Sequence, residues 1–289
     1  MNRHGMPLPL ELVRQVYAAQ FHNCWGRHVH RAHRRILKLD GKHWFVKYKR
    51  NDSEKKKDYL AYLLGMGWTN VAEVRPLSEG EFSDLRSLGI ALPRWATNQN
   101  TNLIRLADDY RIDELQHQDI NAAVASELVF SVWIRRRDTH AANRAYVEEI
   151  PVFFDHQTAF GADQSISPVD NFFHDGEESD FRLERAGTAS SCRVRLMNER
   201  ARICTQDARQ LGRSEDKAIH FVTDADLFKT NMQTSIKQLH NLDQNLWHQT
   251  AEDAGYTANR AHDIALFLEK NRTSINTDIR IMEAVVFQP

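Results

Sequence analysis

Five polar residues are placed where they could bind a phosphate chain and its metal ion. Lys47 interrupts the apolar, strand-like run WFVKY, and Asp58 begins the helix-like run DYLAYLLG. Asp138 and Asn143 share the segment DTHAAN, and Asp155 directly follows the apolar run VFF. A strand amine can neutralise phosphates and a helix carboxylate can hold that amine, while further Asp and Asn side chains orient a hydroxyl and bind Mg²⁺. These residue types together predict phosphoryl transfer.

The segments around these residues predict a chain that mixes strands and helices. Two β-prone runs, ILKL and KHWFVKY, flank the dipeptide Asp-Gly at 40–41, which is a strong signal for a hairpin. Apolar residues at helical spacing predict helices over 10–21, 119–134, 224–246 and 260–268. The first third of the chain is therefore rich in strands and the last third is helical, which predicts an α+β fold.

The composition indicates a folded protein with no excess charge. Among 289 residues, Lys plus Arg total 38 against 39 Asp plus Glu, and 42% are hydrophobic. A balanced charge argues against nucleic acid as a partner. The three cysteines form no CxxC pair, which favours a reducing compartment. The chain has no apolar run of about 18 residues, so we expect no membrane span. Residues 1–13 lack the apolar core of a secretory signal, which predicts a cytoplasmic protein.

The order of these motifs resembles the protein-kinase-like superfamily, and most closely its atypical branch. DTHAAN at 138–143 is similar to the D-x-H-x-x-N loop of phosphatidylinositol 3/4-kinases and HipA-like serine/threonine kinases, in which the histidine, here His140, braces the catalytic loop. FDHQTAFG at 154–161 is similar to the metal-binding Asp segment of type II phosphatidylinositol 4-kinases and HipA-like proteins. DYLAYLLG at 58–65 resembles the helix that supplies the lysine-pairing acid, which is usually Glu there. The usable motifs cover residues 27–161.

The resemblance implies an ATP- and Mg²⁺-dependent kinase and assigns a role to each polar residue. Lys47, held by Asp58, would bind the α- and β-phosphates. Asp138 would orient the acceptor hydroxyl, and Asn143 and Asp155 would hold magnesium.

The resemblance also implies a bilobal protein-kinase-like fold with the nucleotide cleft between its lobes. We expect a mainly β N-terminal lobe over residues 1–107 and a mainly α C-terminal lobe over residues 108–289. The segment that joins the lobes, with Leu106, Ala107 and Asp108, would form the hinge against adenine.

The acceptor is open between a protein and a lipid, with a HipA-like protein kinase the leading hypothesis. The neutral chain carries no polybasic or apolar membrane-binding segment, which favours a protein acceptor over a phosphatidylinositol-type lipid. Arg135, Arg136 and Arg137 could contact an acidic substrate or solvate the end of the preceding helix.

Three alternatives to a kinase remain. A glycine-rich phosphate loop is missing before the lysine strand and Asp58 replaces the usual Glu, which would suit a regulatory pseudokinase that binds nucleotide without turnover. A metal-dependent phosphohydrolase could use Asp138, His140, Asp155 and His156, but it leaves the strand lysine without a task. A kinase scaffold could also transfer a nucleotide instead of a phosphate.

Overall fold

The computed structural model describes residues 11–12, 36–90, 92–136, 144–148, 150–157, 159–160 and 225–286. Within these ranges the chain is a mixed α and β protein, as the sequence predicts. The described residues contain six α-helices, numbered in chain order: α1 (Asp52–Gly65), α2 (Glu79–Ser87), α3 (Ile120–Trp133), α4 (Ala225–Asn241), α5 (Asn245–Asp253) and α6 (Ala258–Val286). None of these helices is both long enough and apolar enough to cross a membrane.

Five strands form an antiparallel sheet in the order β1-β2-β3-β5-β4. They are β1 (Glu11–Leu12), β2 (Ile36–Leu39), β3 (Lys42–Tyr48), β4 (Val74–Pro76) and β5 (Thr101–Arg105). The predicted hairpin is confirmed, because Leu39 pairs with Lys42 across a two-residue turn. Asp40 and Gly41 both have positive φ, at 51° and 77°, which matches the right-handed twist of the strands. The leading helix predicted over 10–21 is wrong at Glu11–Leu12, which pair with β2 as a strand.

Side chains of β3 alternate between the two faces of the sheet. Trp44 and Val46 are buried in an apolar cluster with Leu103 of β5 and with Phe82 and Leu85 of α2. His43, Phe45 and Lys47 lie on the opposite face, toward α1. Continued past the end of the strand, this alternation places Phe45, Lys47 and Lys49 on the side of the sheet where α1 packs.

Helix α1 begins shortly after β3, at a first turn that is well capped. The Asn51 side chain accepts a hydrogen bond from the Glu54 amide, and acidic residues occupy the first turn, where the helix dipole favours them. Leu60, Ala61 and Leu64 are buried in the main core. The helix ends at Gly65, where a β-carbon would lie 2.8 Å from Cγ1 of Val71, so only glycine fits without rearrangement.

Helix α3 is buried almost all round, as is typical of a helix in the centre of a core. Asp119 caps it by accepting from the Ala122 amide. It packs against α4 and α6, and the Trp133 indole donates to the carbonyl of Leu268 in α6. The helix predicted over 224–246 is two helices, α4 and α5, and α6 extends well beyond the predicted 260–268.

A second hairpin, β6 (Arg144–Val147) and β7 (Ile150–Phe153), is bonded to the loop between α1 and β4. The Phe153 amide donates to the Asn70 carbonyl at 2.8 Å, and the Ala72 amide donates to the Phe153 carbonyl at 2.7 Å. The buried Asn70 side chain also donates to the carbonyls of Pro151 and His117. These bonds fix the end of β7, where Asp155 follows, against the end of α1.

Candidate functional site

Two lysines and two aspartates converge between β3, α1 and the segment after β7. Lys47 lies in β3, and Lys49 is the first residue after this strand, on the same face of the sheet. The Lys47 ammonium forms an ion pair with Oδ2 of Asp155. The Lys49 ammonium lies 2.7 Å from Oδ1 of Asp155 and 2.9 Å from Oδ2 of Asp58. The structure therefore corrects the predicted pairing, because Asp58 is ion-paired with Lys49 and not with Lys47.

Asp58 joins the lysine strand to the segment of Asp155. Its side chain is fully buried on the inner face of α1. While one carboxylate oxygen meets Lys49, the other accepts a hydrogen bond from the His156 amide at 2.7 Å. The shorter Asp, where the resembling families usually have Glu, reaches both partners.

Asp155 follows β7 with a backbone conformation that non-glycine residues rarely adopt. Its φ is +65°, in the left-handed region. Such conformations persist when surrounding contacts enforce them, and they cluster at functional sites. At Asp155 the enforcing contacts include the two lysine ion pairs and the neighbouring bond from His156 to Asp58.

The charges in this cluster shift the pKa of each member. Burial alone would raise the pKa of Asp155, but Lys47 and Lys49 outweigh burial and hold it well below its ordinary value of 3.8. Burial would lower the pKa of Lys49, but Asp155 and Asp58 outweigh burial and raise it. Burial prevails at Lys47, where the pKa is lowered despite the attraction of Asp155. Asp155 is therefore an anion at any physiological pH.

Exposure separates the two lysines. The Lys49 side chain is 0% exposed, whereas Lys47 is 18% and Asp155 is 11% exposed. The part of the cluster that a ligand from solvent can reach is therefore the Lys47–Asp155 pair. Lys49 is enclosed and connects Asp155 to α1.

The chemistry of Asp155 suits a magnesium ligand. An ionised carboxylate at a partly exposed position is a hard oxygen donor, and Mg²⁺ keeps several waters, so few protein ligands are needed. Asn143, the other predicted ligand, lies outside the described residues. No group of three or more His, Cys, Asp or Glu side chains that could hold a metal ion occurs among the residues the structure describes.

Arg136 is buried, contrary to the expectation that the arginine run contacts a substrate or solvates the helix end. Its side chain is 1% exposed and forms an ion pair with Glu127 of α3 at 2.9 Å. It also donates to the carbonyl of Phe154 at 2.9 Å. Arg135 reaches α6, where its Nε lies 3.4 Å from Oδ1 of Asn271.

His156 is buried on the core side of the Asp155 segment. It is 1% exposed, and its ring packs edge-on against Phe130. Its Nε2 lies 3.5 Å from the Arg136 guanidinium. Burial and the charge of Arg136 lower its pKa well below the ordinary value of 6.5, so the imidazole is neutral. A phosphohydrolase would need this imidazole at a solvent-reachable metal, and burial opposes that role.

Replacement of His156 by Gln should reduce the pH dependence of stability. Because the folded pKa of His156 is lowered, the unfolded chain binds its proton more readily. The stability contributed by the neutral imidazole is present above about pH 6.5 and lost as pH falls toward the folded pKa. The slope approaches about 1.4 kcal/mol per pH unit. Urea unfolding between pH 7.5 and about 5 measures it.

The control for this prediction is His248→Gln, since the His248 side chain is 39% exposed. That variant should retain the wild-type slope. An unchanged slope in His156→Gln would contradict the prediction.

The predicted hinge residues follow β5 directly. Leu106 is buried, and its amide donates to the His43 carbonyl at 3.0 Å. Ala107 and Asp108 lie in a short 3-10 helix, and Ala107 belongs to the apolar cluster that contains Phe154. Strand β5 itself ends at Arg105, just before these residues. A role against adenine stays a prediction.

The structure brings together Lys47, Asp58 and Asp155 of the predicted site. Asp138, His140 and Asn143 lie outside the described residues, so their positions stay predictions. The sequence interpretation missed Lys49, although its spacing of two from Lys47 indicates the same face of the sheet. It also missed the buried pair of Arg136 and Glu127, for which the sequence carries no local signal.

Comparisons with known proteins found no matching family model, no matching curated protein and no matching solved structure. The function is therefore inferred from the site itself.

Proposed function

We propose that the protein is an ATP- and Mg²⁺-dependent phosphotransferase of the HipA-like or phosphatidylinositol-kinase-like type, with two lobes around the site. The observation that carries this proposal is the convergence of Lys47, Lys49, Asp58 and Asp155. A strand amine paired to a helix acid, next to an aspartate after a later strand, is the arrangement that protein kinases use for nucleotide phosphates. Here Lys49, the residue after β3, forms the buried pair with Asp58, Lys47 within β3 is the amine that solvent reaches, and Asp155 is the later aspartate.

Each side chain has a task in this proposal. The partly exposed Lys47 ammonium contacts the phosphates, and Lys49 holds Asp155 and Asp58 in place. Asp155 and Asn143 are the residues that would hold magnesium, which supplies neutralisation of the phosphate charge when bound. Asp138 orients the acceptor hydroxyl, and His140 braces its loop. Leu106, Ala107 and Asp108 line the adenine.

Transfer of label from ATP tests the proposal. Wild type incubated with γ-labelled ATP, Mg²⁺ and a cell lysate should label protein, and Asp138→Ala should abolish the labelling. The control is Asp263→Ala, an exposed aspartate that forms an ion pair with Arg260 of the same helix, α6. Equal labelling by wild type and Asp138→Ala would contradict the proposal.

Parallel incubations separate the alternatives. Label on phosphoinositide vesicles, in place of protein, would identify a lipid kinase. Label from α-labelled ATP would identify nucleotide transfer. Nucleotide binding without any transfer at saturating Mg²⁺ would identify a pseudokinase. We expect label from the γ-position alone, and we expect it on protein. The neutral chain offers no charge attraction for anionic lipid, which favours the protein acceptor.

A further inference from the structure

Arg136 connects three parts of the structure near the site, namely helix α3, the carbonyl of Phe154 and the ring of His156. Its Nη1 lies 2.9 Å from Oε1 of Glu127 in α3 and 3.5 Å from Nε2 of His156. Its Nη2 donates to the carbonyl of Phe154 at 2.9 Å. Both partners of the ion pair are buried, with side chains 1% and 2% exposed.

The backbone around Arg136 is fixed as firmly as its side chain. After α3 ends, Arg135 adopts a left-handed conformation with φ of 53°, and the Arg136 amide donates back to the Ser131 carbonyl at 2.9 Å. The Ile134 carbonyl accepts from the Phe160 amide at 2.8 Å. The chain from 134 to 136 is thus bonded to the segment 154–160 through both side chain and backbone.

The bond to Phe154 acts directly on the conformation of Asp155. The Phe154 carbonyl belongs to the peptide plane that precedes Asp155, and the rotation about the N–Cα bond that relates Asp155 to this plane is the unfavourable φ of +65°. A guanidinium presents its donors in a planar fork, so pairing with Glu127 sets the direction of the bond to Phe154. Arg136 therefore fixes the peptide plane that precedes Asp155, and with it the direction in which the Asp155 side chain leaves the backbone.

We propose that Arg136, with Glu127 as its counter-ion, is a positioning residue for phosphate transfer. Through the carbonyl of Phe154 it fixes the carboxylate of Asp155. This inference rests on the proposed function, since it assigns a part in phosphate transfer to Asp155.

Replacement of Arg136 should lower kcat more than it raises the KM for ATP. In Arg136→Gln we expect kcat to fall about 100-fold, because misplacement of reacting groups by about 1 Å costs that much. The KM for ATP should change less than about threefold, because Lys47 and Lys49 are retained. Arg136→Lys keeps the charge opposite Glu127 but loses the fork, so its kcat should be intermediate. Arg135→Gln, the neighbouring control, should retain wild-type kcat.

Hydrogen exchange provides a readout that does not need activity. Amides in peptides covering 154–160 should exchange faster in Arg136→Gln than in wild type, and not in Arg135→Gln. Binding stoichiometry of a fluorescent ATP analogue counts folded chains, so loss of fold is separated from loss of kcat. Where Arg136→Gln does not fold, Arg136→Lys carries the test.

The outcomes distinguish this inference from the proposed function. Faster exchange in 154–160 of Arg136→Gln, with no transfer even by wild type, would support the positioning of Asp155 by Arg136 and overturn the kinase assignment. Transfer by wild type with unchanged kcat and exchange in Arg136→Gln, or in Arg136→Lys where that variant carries the test, would overturn the positioning role alone.

Discussion

Asp155→Asn should reduce phosphate transfer by at least about 10³-fold. The substitution keeps the size of the side chain but removes the anion that meets Lys47 and Lys49 and would bind magnesium. Loss of a single group that stabilises transition-state charge costs about 10²–10³ in rate, and groups on a transferred phosphoryl cost up to about 10⁵. Initial rates with γ-labelled ATP, at saturating Mg²⁺, measure the loss.

A change of fold must be separated from a change of chemistry in this experiment. Asp155→Asn removes the described ion-pair partner of the partly exposed Lys47 and leaves the buried Lys49 with Asp58 alone among its described ion-pair partners, so it also destabilises the protein. Asp155→Glu retains the charge and displaces it by one methylene, so it should keep the near-ultraviolet circular dichroism of wild type and still lose most transfer. Asp263→Asn is the exposed control. Wild-type rates in Asp155→Glu would argue against a metal-binding role.

Lys49→Met should mainly reduce stability, whereas Lys47→Met should mainly reduce nucleotide binding. Removal of Lys49 leaves Asp58 without its ion pair in a fully buried position, which costs about 3–5 kcal/mol in the free energy of unfolding. Removal of Lys47 costs much less, because its amine is partly exposed and Asp155 keeps Lys49. Lys47→Met should instead lose affinity for ATP. Urea unfolding and nucleotide titration measure the two effects.

A double-mutant cycle tests the pairing behind this difference. Lys49→Met with Asp58→Asn removes both charges, so its free energy of unfolding should be higher than the sum of the single losses implies. Additive losses would show that Lys49 and Asp58 are not coupled. Equal destabilisation by Lys47→Met and Lys49→Met would show that exposure does not distinguish the two amines.

The sequence predicts the local parts of this structure well because their causes are local. The Asp-Gly hairpin needs two positive φ values that those residues tolerate, and α1 begins at a capping Asn51. The sequence also identifies Lys47, Asp58 and Asp155 as residues of one cluster.

The partner choices inside the cluster could not be predicted in the same way. Alternation along β3 places Lys47 and Lys49 on one face but does not tell which lies deeper, because depth depends on how α1 packs on the sheet. Burial of Arg136 likewise depends on Glu127, nine positions earlier, and on a carbonyl eighteen positions later. Without knowledge of those long-range contacts, a run of three arginines predicts side chains that are exposed to solvent.

The hydrogen bonds that join Asn70 and Ala72 to Phe153 determine which residues would move together if the two proposed lobes open and close. They attach the end of β7 to the loop after α1, and the bond from the His156 amide to Asp58 attaches the residues after Asp155 to α1 itself. Asp155 is therefore held to α1 and to the lysine strand, although it lies in the part of the chain predicted as the C-terminal lobe. In a two-lobed phosphotransferase of the kind proposed, these amines and this carboxylate would stay in register as the lobes open, and release of a spent nucleotide would depend on motion of the other wall.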